Sequence, residues 1–528
     1  FQSRRTKIRR DNRVWQYAYD RNNNLIASTA PNTIDETPDA PGNYTTLIAY
    51  DKLNRVTSRL MAPMGLTPQQ LADFDAEYVS YAYDSCANGI GLLCQTLSGD
   101  NLTTSYTYDW AGRSTSRTQT VSLPESVVDF GDADSDPDFT DTRSSYLSYN
   151  TAGMVTEAWL PDAQSQAEAT HLEYEFDAVG LPKKLIWHAS SGDEIVELTR
   201  NDAMAVVSQS IGCLTRSWGY DHMGRTRDTT VTGAGCSTQN GILLSESMSY
   251  FDSSEVETLS AYRAGLSQRT FTYEYDTQHQ LVGALDDLGD YSVRWTFDAA
   301  GKIDEVGPLS GGVLAGRSPM NYSYGDGSFG GPGSGDQHAP SSLVGIEKDV
   351  DYLYDFSGNA ISRTETDDPL GTPSTSTWSF QYDGDNQQRE VQLDSGTGGR
   401  ELYFYDSDGA RYLQVTYALG TDAVPSRIRQ WDGSAEIWHG PDFSSDQMEI
   451  QSEYGHLSLG GISVGRVKHE GMLTSAEASF HSGLQNLMGA VDWETGVVST
   501  AFVYGPYGEL VDSTGPEQAE HLRRFNGK

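Results

Sequence analysis

One short unit constrains this chain more than anything else in it: an aromatic residue, then Asp, two variable residues, and Gly. It starts at Tyr19-Asp20, Tyr50-Asp51, Tyr83-Asp84, Tyr108-Asp109, Tyr149-Asn150, Phe176-Asp177 and Tyr220-Asp221. It continues at Phe251-Asp252, Tyr275-Asp276, Phe297-Asp298, Tyr354-Asp355, Tyr382-Asp383, Tyr405-Asp406 and Tyr504-Gly505. Most starts are roughly 22 to 44 residues apart. Three residues after the second member stands Gly112, Gly153, Gly180, Gly224, Gly301, Gly358, Gly409 or Gly508, or else Asn23, Asn54 or Asn386; only Ala87, Glu255 and His279 depart. Gly and Asn accept a left-handed backbone, and an Asp at the head of a turn bonds the amides that follow. The pairs Asp109/Gly112, Asp221/Gly224, Asp298/Gly301 and Asp355/Gly358 therefore predict type I turns closed by a positive φ, in hairpin loops of about three to five residues. Arg55, Arg113, Arg225, Lys302 and Asn359 then open the following strand.

The runs that enter these turns alternate. Phe271, Tyr273 and Tyr275 interleave with Thr272 and Glu274; Tyr291, Val293, Trp295 and Phe297 interleave with Ser292, Arg294 and Thr296. Period two marks a strand with one buried face. The repeated aromatics read as wall packing, with a ligand-stacking platform as the alternative. The Trp residues are spread along the chain at about the repeat interval, which also favours packing. An Asp present in nearly every unit is a turn residue and not a catalytic acid.

Helix signals are few: Pro68 to Asp75 after Thr67, and Pro516 to Leu522. Pro124 to Asp141, Ser310 to Pro340 and Thr364 to Thr377 read as exposed insertions. With 74 acidic against 36 basic residues, the net charge of −38 opposes nucleic acid and anionic lipid as partners. No apolar run approaches the ~18 residues of a membrane helix. High Tyr (30) and Gly (53) fit an all-β repeat protein of 528 residues. Both ends are expected to be internal to a longer protein.

The tandem units, clearest at Tyr108-Asp109-Trp110-Ala111-Gly112-Arg113 and Tyr220-Asp221-His222-Met223-Gly224-Arg225, resemble the YD repeats of bacterial Rhs proteins, of the C subunits of Tc-type insecticidal toxins, and of teneurins. The segment Leu487-Met488-Gly489-Ala490-Val491-Asp492, followed by Phe502-Val503-Tyr504-Gly505-Pro506-Tyr507-Gly508-Glu509 and Arg524-Phe525-Asn526-Gly527, is similar to the start of the Rhs-associated core; Ser482 to Asn486 depart from that pattern. The resemblance implies an all-β spiral of antiparallel hairpins forming part of a hollow shell. It divides the chain into a YD-repeat wall at 1–475 and the start of the core segment at 476–528. It implies a secreted or cell-surface, non-enzymatic protein that encapsulates a C-terminal toxin. Its partners would be that cargo, other parts of the shell, and a secretion or translocation machine. The family's self-cleavage site lies downstream of the core segment, so no protease residue carries over. A YD-repeat adhesin that binds glycan or a partner cell is the alternative, and a β-propeller enzyme is disfavoured by the uneven spacing.

Chemistry-bearing motifs are weak. Gly461-Ile462-Ser463-Val464-Gly465 spells a nucleophile elbow but lies in Gly-rich β sequence without the strand–turn–helix context that motif needs. Asp132, Asp134, Asp136 and Asp138 alternate like calcium ligands, yet Pro137 and Arg143 stand where an EF-hand loop needs Gly and Glu; a solvated acidic loop fits as well. His469-Glu470 lacks the second His of a zinc-protease helix. No cofactor, catalytic residue or metal site is expected. Cys86/Cys94 and Cys213/Cys236 fall as two close pairs that suit disulfides of an exported protein, or four thiols of a reduced chain. Asn43, Asn101 and Asn321 begin N-x-S/T sequons.

Overall fold

The computed structural model describes residues 6–10, 13–29, 44–63, 77–99, 101–130, 139–189, 192–239, 241–289, 291–308, 319–325, 339–345, 347–355, 358–383, 386–393, 399–418, 424–470, 473–482 and 486–515. These residues contain 39 strands, from Lys7–Arg10 to Leu510–Thr514, and no helix. All belong to one antiparallel sheet, built as a run of hairpins in which a strand pairs with its neighbour in sequence. The two helix candidates lie outside the described residues. So do most of Ser310 to Pro340 and the Asp132–Asp138 run.

Thr364 to Thr377 is a correction: it forms a hairpin of strands Ala360–Asp367 and Ser374–Tyr382, not an insertion. Its Thr and Ser residues are polar but β-branched or small, and they pair across the strands. Thr364 bonds Thr377 (3.2 Å) and Thr366 bonds Thr375 (3.3 Å). Asp141 likewise sits in a strand, Phe139–Tyr149, and not in a loop.

The turns follow one plan. In the hairpin after Tyr220, the Asp221 amide donates to the Arg225 carbonyl (3.0 Å), and the Gly224 amide donates to the Asp221 carbonyl (3.1 Å). Asp221 Oδ1 accepts from the amides of Met223 and Arg225, both at 2.9 Å. The same pair of side-chain bonds recurs at Asp51, Asp109, Asp177, Asp276, Asp298 and Asp406, and with Asn at Asn150 and Asn201. Asp355 makes the bond to Asn359. Gly112, Gly224, Gly301 and Gly358 have φ of 77°, 81°, 78° and 92°. This is a three-residue loop with a left-handed last residue, and one residue of the outgoing strand falls out of register beside it, as between Gly219 and Tyr220.

Three units depart from the sequence reading. At Phe251-Asp252 the frame is one residue earlier: Phe251 heads the turn and Ser254, at φ 84°, takes the Gly position. Tyr83-Asp84 opens a longer loop that closes on Leu92. A unit at Asn201 has Met204 in the left-handed position (φ 62°) and Arg200 in place of the aromatic, so it carries neither of the two residues that mark the repeat.

The repeat tyrosine does more than close the inner face. Its hydroxyl donates to the carbonyl that starts the outgoing strand of the preceding hairpin: Tyr50 to Leu25, Tyr83 to Val56, Tyr220 to Val206, Tyr250 to Thr226, Tyr275 to Val256 and Tyr405 to Gln388. The residue after the Gly reaches two ways. Arg225 pairs with its own Asp221 at 2.6 Å and lies over the Tyr250 ring of the next unit at 4.3 Å. Arg55 repeats this with Asp51 (2.7 Å) and Tyr83 (4.4 Å), and Arg389, two residues further along its strand, makes the same two contacts with Asp383 (2.9 Å) and Tyr405 (5.1 Å). Consecutive turns are thus bonded into a ladder along the sheet margin.

Packing divides the chain into two compact units, Phe1–Tyr146 with Gln164–Gln166 and Tyr322–Gln451, and Leu147–Ala163 with Ala167–Asn321 and Ser452–Lys528. Strand Leu473–His481 runs across position 475/476. In the first unit Leu102, Val121, Leu123 and Phe139 pack against Leu413, Val415, Tyr417 and Ile428. In the second, Leu172, Leu185, Val196 and Ile211 pack against Leu457, Val464, Phe480 and Trp493, while Phe271, Tyr273, Val293 and Trp295 form a separate cluster with Val503. The alternating rows therefore pack layer on layer between strands distant in sequence, beyond the packing within the wall that the pattern alone suggests.

Two expectations follow. Gly224 has open space where a Cβ would go, so its constraint is the backbone alone. Gly224→Val should cost about 1–3 kcal/mol in urea unfolding, whereas Gly224→Asn should cost little, since Asn23, Asn54 and Asn386 hold the same place at φ 75°, 62° and 62°. The backbone bonds from Arg55, Arg113 and Lys302 hold the carboxyls of Asp51, Asp109 and Asp298 below the usual range. Their folded-state values lie below the unfolded one, so their stabilisation is complete above about pH 4 and is lost as pH falls through the folded values. The melting temperature should drop in acid, and Asp109→Asn, which keeps an amide oxygen in place as Asn150 does, should remove that site's share of the drop.

Candidate functional site

The turn carboxylates named from the sequence are committed to their own hairpins. Asp109 and Asp221 each accept two backbone amides and pair with the Arg four residues on, Asp298 does the same with Lys302, and Asp355 bonds the amide and side chain of Asn359. Each of these carboxylates is occupied in holding its own turn.

The four cysteines form two disulfides. Cys86–Cys94 closes the long loop after Asp84, with Cα atoms 5.4 Å apart. Cys213–Cys236 has a Cα separation of 4.9 Å and anchors the loop Gly233–Gln239. That loop is stitched to the turn after Asp492. The amides of Thr238 and Gln239 donate to the Thr495 carbonyl, and Gln239 Oε1 accepts from Val498. A Cβ at Gly496 would meet Cys236, and one at Gly212 would meet Trp493, so both glycines are fixed by close approach.

Ser463 lies on strand Ile462–Glu470, just past the hairpin turn at Gly460 and Gly461, and pairs with Ser458 of the neighbouring strand. The strand–helix elbow that would expose a nucleophile is absent there. Among the described residues no group of three or more His, Cys, Asp or Glu could hold a metal ion. Trp187, Trp295 and Trp493 are buried, while Trp110 stands at the tip of its turn, 88% exposed.

Two polar clusters were not legible from the sequence. In the first unit the buried Asp141 and Arg143 pair at 2.6 Å beside His439, whose ring meets Phe139 edge-on at 4.9 Å. Burial, opposed by Asp141 and helped by Arg143, pushes the His439 pKa down to about 4, so the ring is neutral near pH 7. In the second unit the fully buried Asp162 accepts the Thr170 amide at 2.9 Å and faces His469 Nε2 at 3.5 Å. His469 Nδ1 meets the Thr474 hydroxyl at 3.2 Å. A carboxylate and a hydroxyl on opposite ring nitrogens is the layout of a relay. Thr474, however, is simply the residue paired with His469 on the neighbouring strand. The pair therefore works as an ion pair that pins the loop Leu160–Thr170 to strand Ile462–Glu470. No sequence signal could have joined these residues: Thr170 and His469 are 299 positions apart.

Burial alone would lower the His469 pKa, but the bond to Asp162 and its charge override it, and the net shift is upward. A raised folded-state value gives stabilisation that is complete below the unfolded value of about 6.5 and is lost as pH rises through the folded value. Hydrogen exchange, corrected for its intrinsic pH dependence, should show the loop 160–170 less protected at pH 8 than at pH 6. Asp162→Asn should abolish that difference.

No family model matches this sequence, and no curated protein matches it. Solved structures do. A crystal structure of TcdB2-TccC3 aligns over 98% of the chain with a TM-score of 0.58 at 12% identity. TcdB2-TccC3-Cdc42 aligns over 98% with 0.57 at 12%, and the Photorhabdus luminescens Tc holotoxin pore over 98% with 0.51 at 11%. The chain spans 28% of the length of the first and 27% of each of the others. At these identities the likeness is one of fold: this chain is an all-β run of antiparallel hairpins laid out like a stretch of the TcdB2-TccC3 chain.

Proposed function

We propose that this chain is a wall segment of a secreted Rhs/Tc-like toxin, without enzymatic activity of its own, whose hollow shell encapsulates a toxin domain carried C-terminal to it. The observation that carries the reading is the run of hairpins among the described residues, in a chain that aligns over 98% of its length with the TcdB2-TccC3 chain. The turn ladder supports it, since it lets a sheet grow by adding hairpins. The two disulfides support an exported location, secreted or at the cell surface. In this reading 1–475 is the repeat wall and 476–528 begins the core segment. The partners are the cargo, the rest of the shell, and a secretion or translocation machine.

The adhesin reading draws on a different observation. Three adjoining turns in the first unit, linked by Arg55–Asp84 (2.7 Å) and by Asn88 to the Tyr108 carbonyl (3.0 Å), present Leu53 (70% exposed), Ile90 (90%) and Trp110 (88%) at their tips. A strip of this kind is where a surface protein would meet a partner.

The test is limited proteolysis of the chain expressed with its natural downstream sequence. A shell predicts a C-terminal segment protected from protease while the wall is intact, and digested once the wall is unfolded in denaturant. If that segment is cut at once in the native protein, encapsulation is wrong. Loss of glycan or cell binding on Trp110→Ala would then favour the adhesin.

A further inference from the structure

The first unit carries one face whose charge contradicts the rest of the chain. Strands Arg400–Tyr405, Arg411–Tyr417, Arg427–Asp432 and Ala435–Asp442 are adjacent and antiparallel. Their inner row is core: Leu402, Leu413, Val415, Ile428 and Ile437. The other row interleaves arginine with aromatic rings. Arg427 and Arg429 both lie over the indole of Trp438, at 4.9 and 4.6 Å. Arg411 lies over Trp431 at 5.0 Å and over Tyr403 at 5.1 Å. Two carboxylates share the face, but Glu436 accepts from Trp438 Nε1 and Glu401 from the Tyr403 hydroxyl. Among the described residues Arg411, Arg427 and Arg429 make no ion pair, unlike the arginines of the turn ladder. Arg429 Nε is buried without a hydrogen-bond partner. Burial, and then the like charge of Arg427, lower the Arg429 pKa against the opposing charges of Glu436 and Glu401.

Three guanidiniums are therefore held together on aromatic faces, none of them in an ion pair, against two carboxylates that are hydrogen-bonded to Trp438 and Tyr403. Stacking on an aromatic face fixes the plane of the fork and leaves its N–H edges able to grip a carboxylate with two bonds. We propose that this face binds an extended acidic peptide segment of a partner protein, with carboxylates on alternate residues. Arg427 and Arg429 are two residues apart on one strand, about 6.7 Å along it, and alternate side chains of an extended peptide repeat at the same interval. Polyphosphate chains fit less well, because a chain of net charge −38 repels a dense polyanion more than it repels a few carboxylates. This site does not depend on the shell reading.

The probe is a fluorescein-labelled octapeptide of alternating Glu and Ser, titrated by anisotropy at low ionic strength. The chain should bind it, and Arg427→Gln/Arg429→Gln should weaken binding about tenfold or more. Arg411→Gln should weaken it several-fold, and Lys183→Gln in the other unit should leave it unchanged. Circular dichroism shows whether each variant has kept its β structure. An octapeptide with its four Glu contiguous should bind more weakly. The proposal is overturned if the wild-type chain does not bind the alternating peptide, if the folded double variant binds it equally well, if the contiguous peptide binds as tightly, or if a single-stranded oligothymidylate binds more tightly than either.

Discussion

The structure rests on one side-chain oxygen placed between two backbone amides. Asp or Asn at the head of most repeat turns accepts from the residues two and four positions on, and this fixes the loop length and the left-handed last residue. The one-residue register offset in the outgoing strand comes with the same turn. Register then decides which face every side chain of the next strand occupies, because slipping by one residue would exchange the two faces. The burial of Phe271, Tyr273, Val293 and Trp295 on a single side depends on turns they do not touch.

The ladder also explains how so polar a chain sustains so long a sheet. Only 37% of its residues are hydrophobic. Much of the outward row is Thr and Ser, joined by hydroxyl pairs such as Thr118–Ser144 (2.8 Å), Thr120–Thr142 (3.0 Å) and Thr29–Thr45 (2.9 Å). Basic residues are scarce, and many serve twice, pairing with a turn Asp while covering the next tyrosine. Arg411, Arg427 and Arg429 are outside this scheme: they lie over Tyr403, Trp431 and Trp438 and pair with no turn carboxylate.

What was legible in the sequence was what is local. A turn needs a few neighbouring residues, so Asp109/Gly112 and Asp221/Gly224 could be read directly. The unit at Asn201 escaped because Met204 occupies a place usually left to Gly, and Arg200 stands where the aromatic should be. At Phe251 two adjacent aromatics, Tyr250 and Phe251, made the frame ambiguous; the bond from the Tyr250 hydroxyl to the Thr226 carbonyl decides it. The Thr364–Thr377 hairpin reads as a loop because Pro369, Gly371 and Pro373 interrupt a small, polar stretch, yet its Thr residues pair across the strands. The pairs Asp162/His469 and Asp141/His439 join segments far apart in sequence, and no repeat or spacing encodes them.

These two levels of order predict different consequences of damage. A turn is bonded to the hairpins on either side of it, so a fault there acts on nearest neighbours, as in other repeat architectures. The layered clusters join segments far apart in sequence, and a fault there acts on both at once. Trp493 shows the difference. It is buried in the second unit against Trp187, with ring centres 5.9 Å apart, and it leaves no room for a Cβ at Gly212. It thereby holds the strands around Trp187 and Ile211 against the turn that follows Asp492. The repeat can be extended or shortened one hairpin at a time without altering its turn chemistry. The seam at Trp493 cannot, because its two sides must arrive in register from opposite ends of the unit.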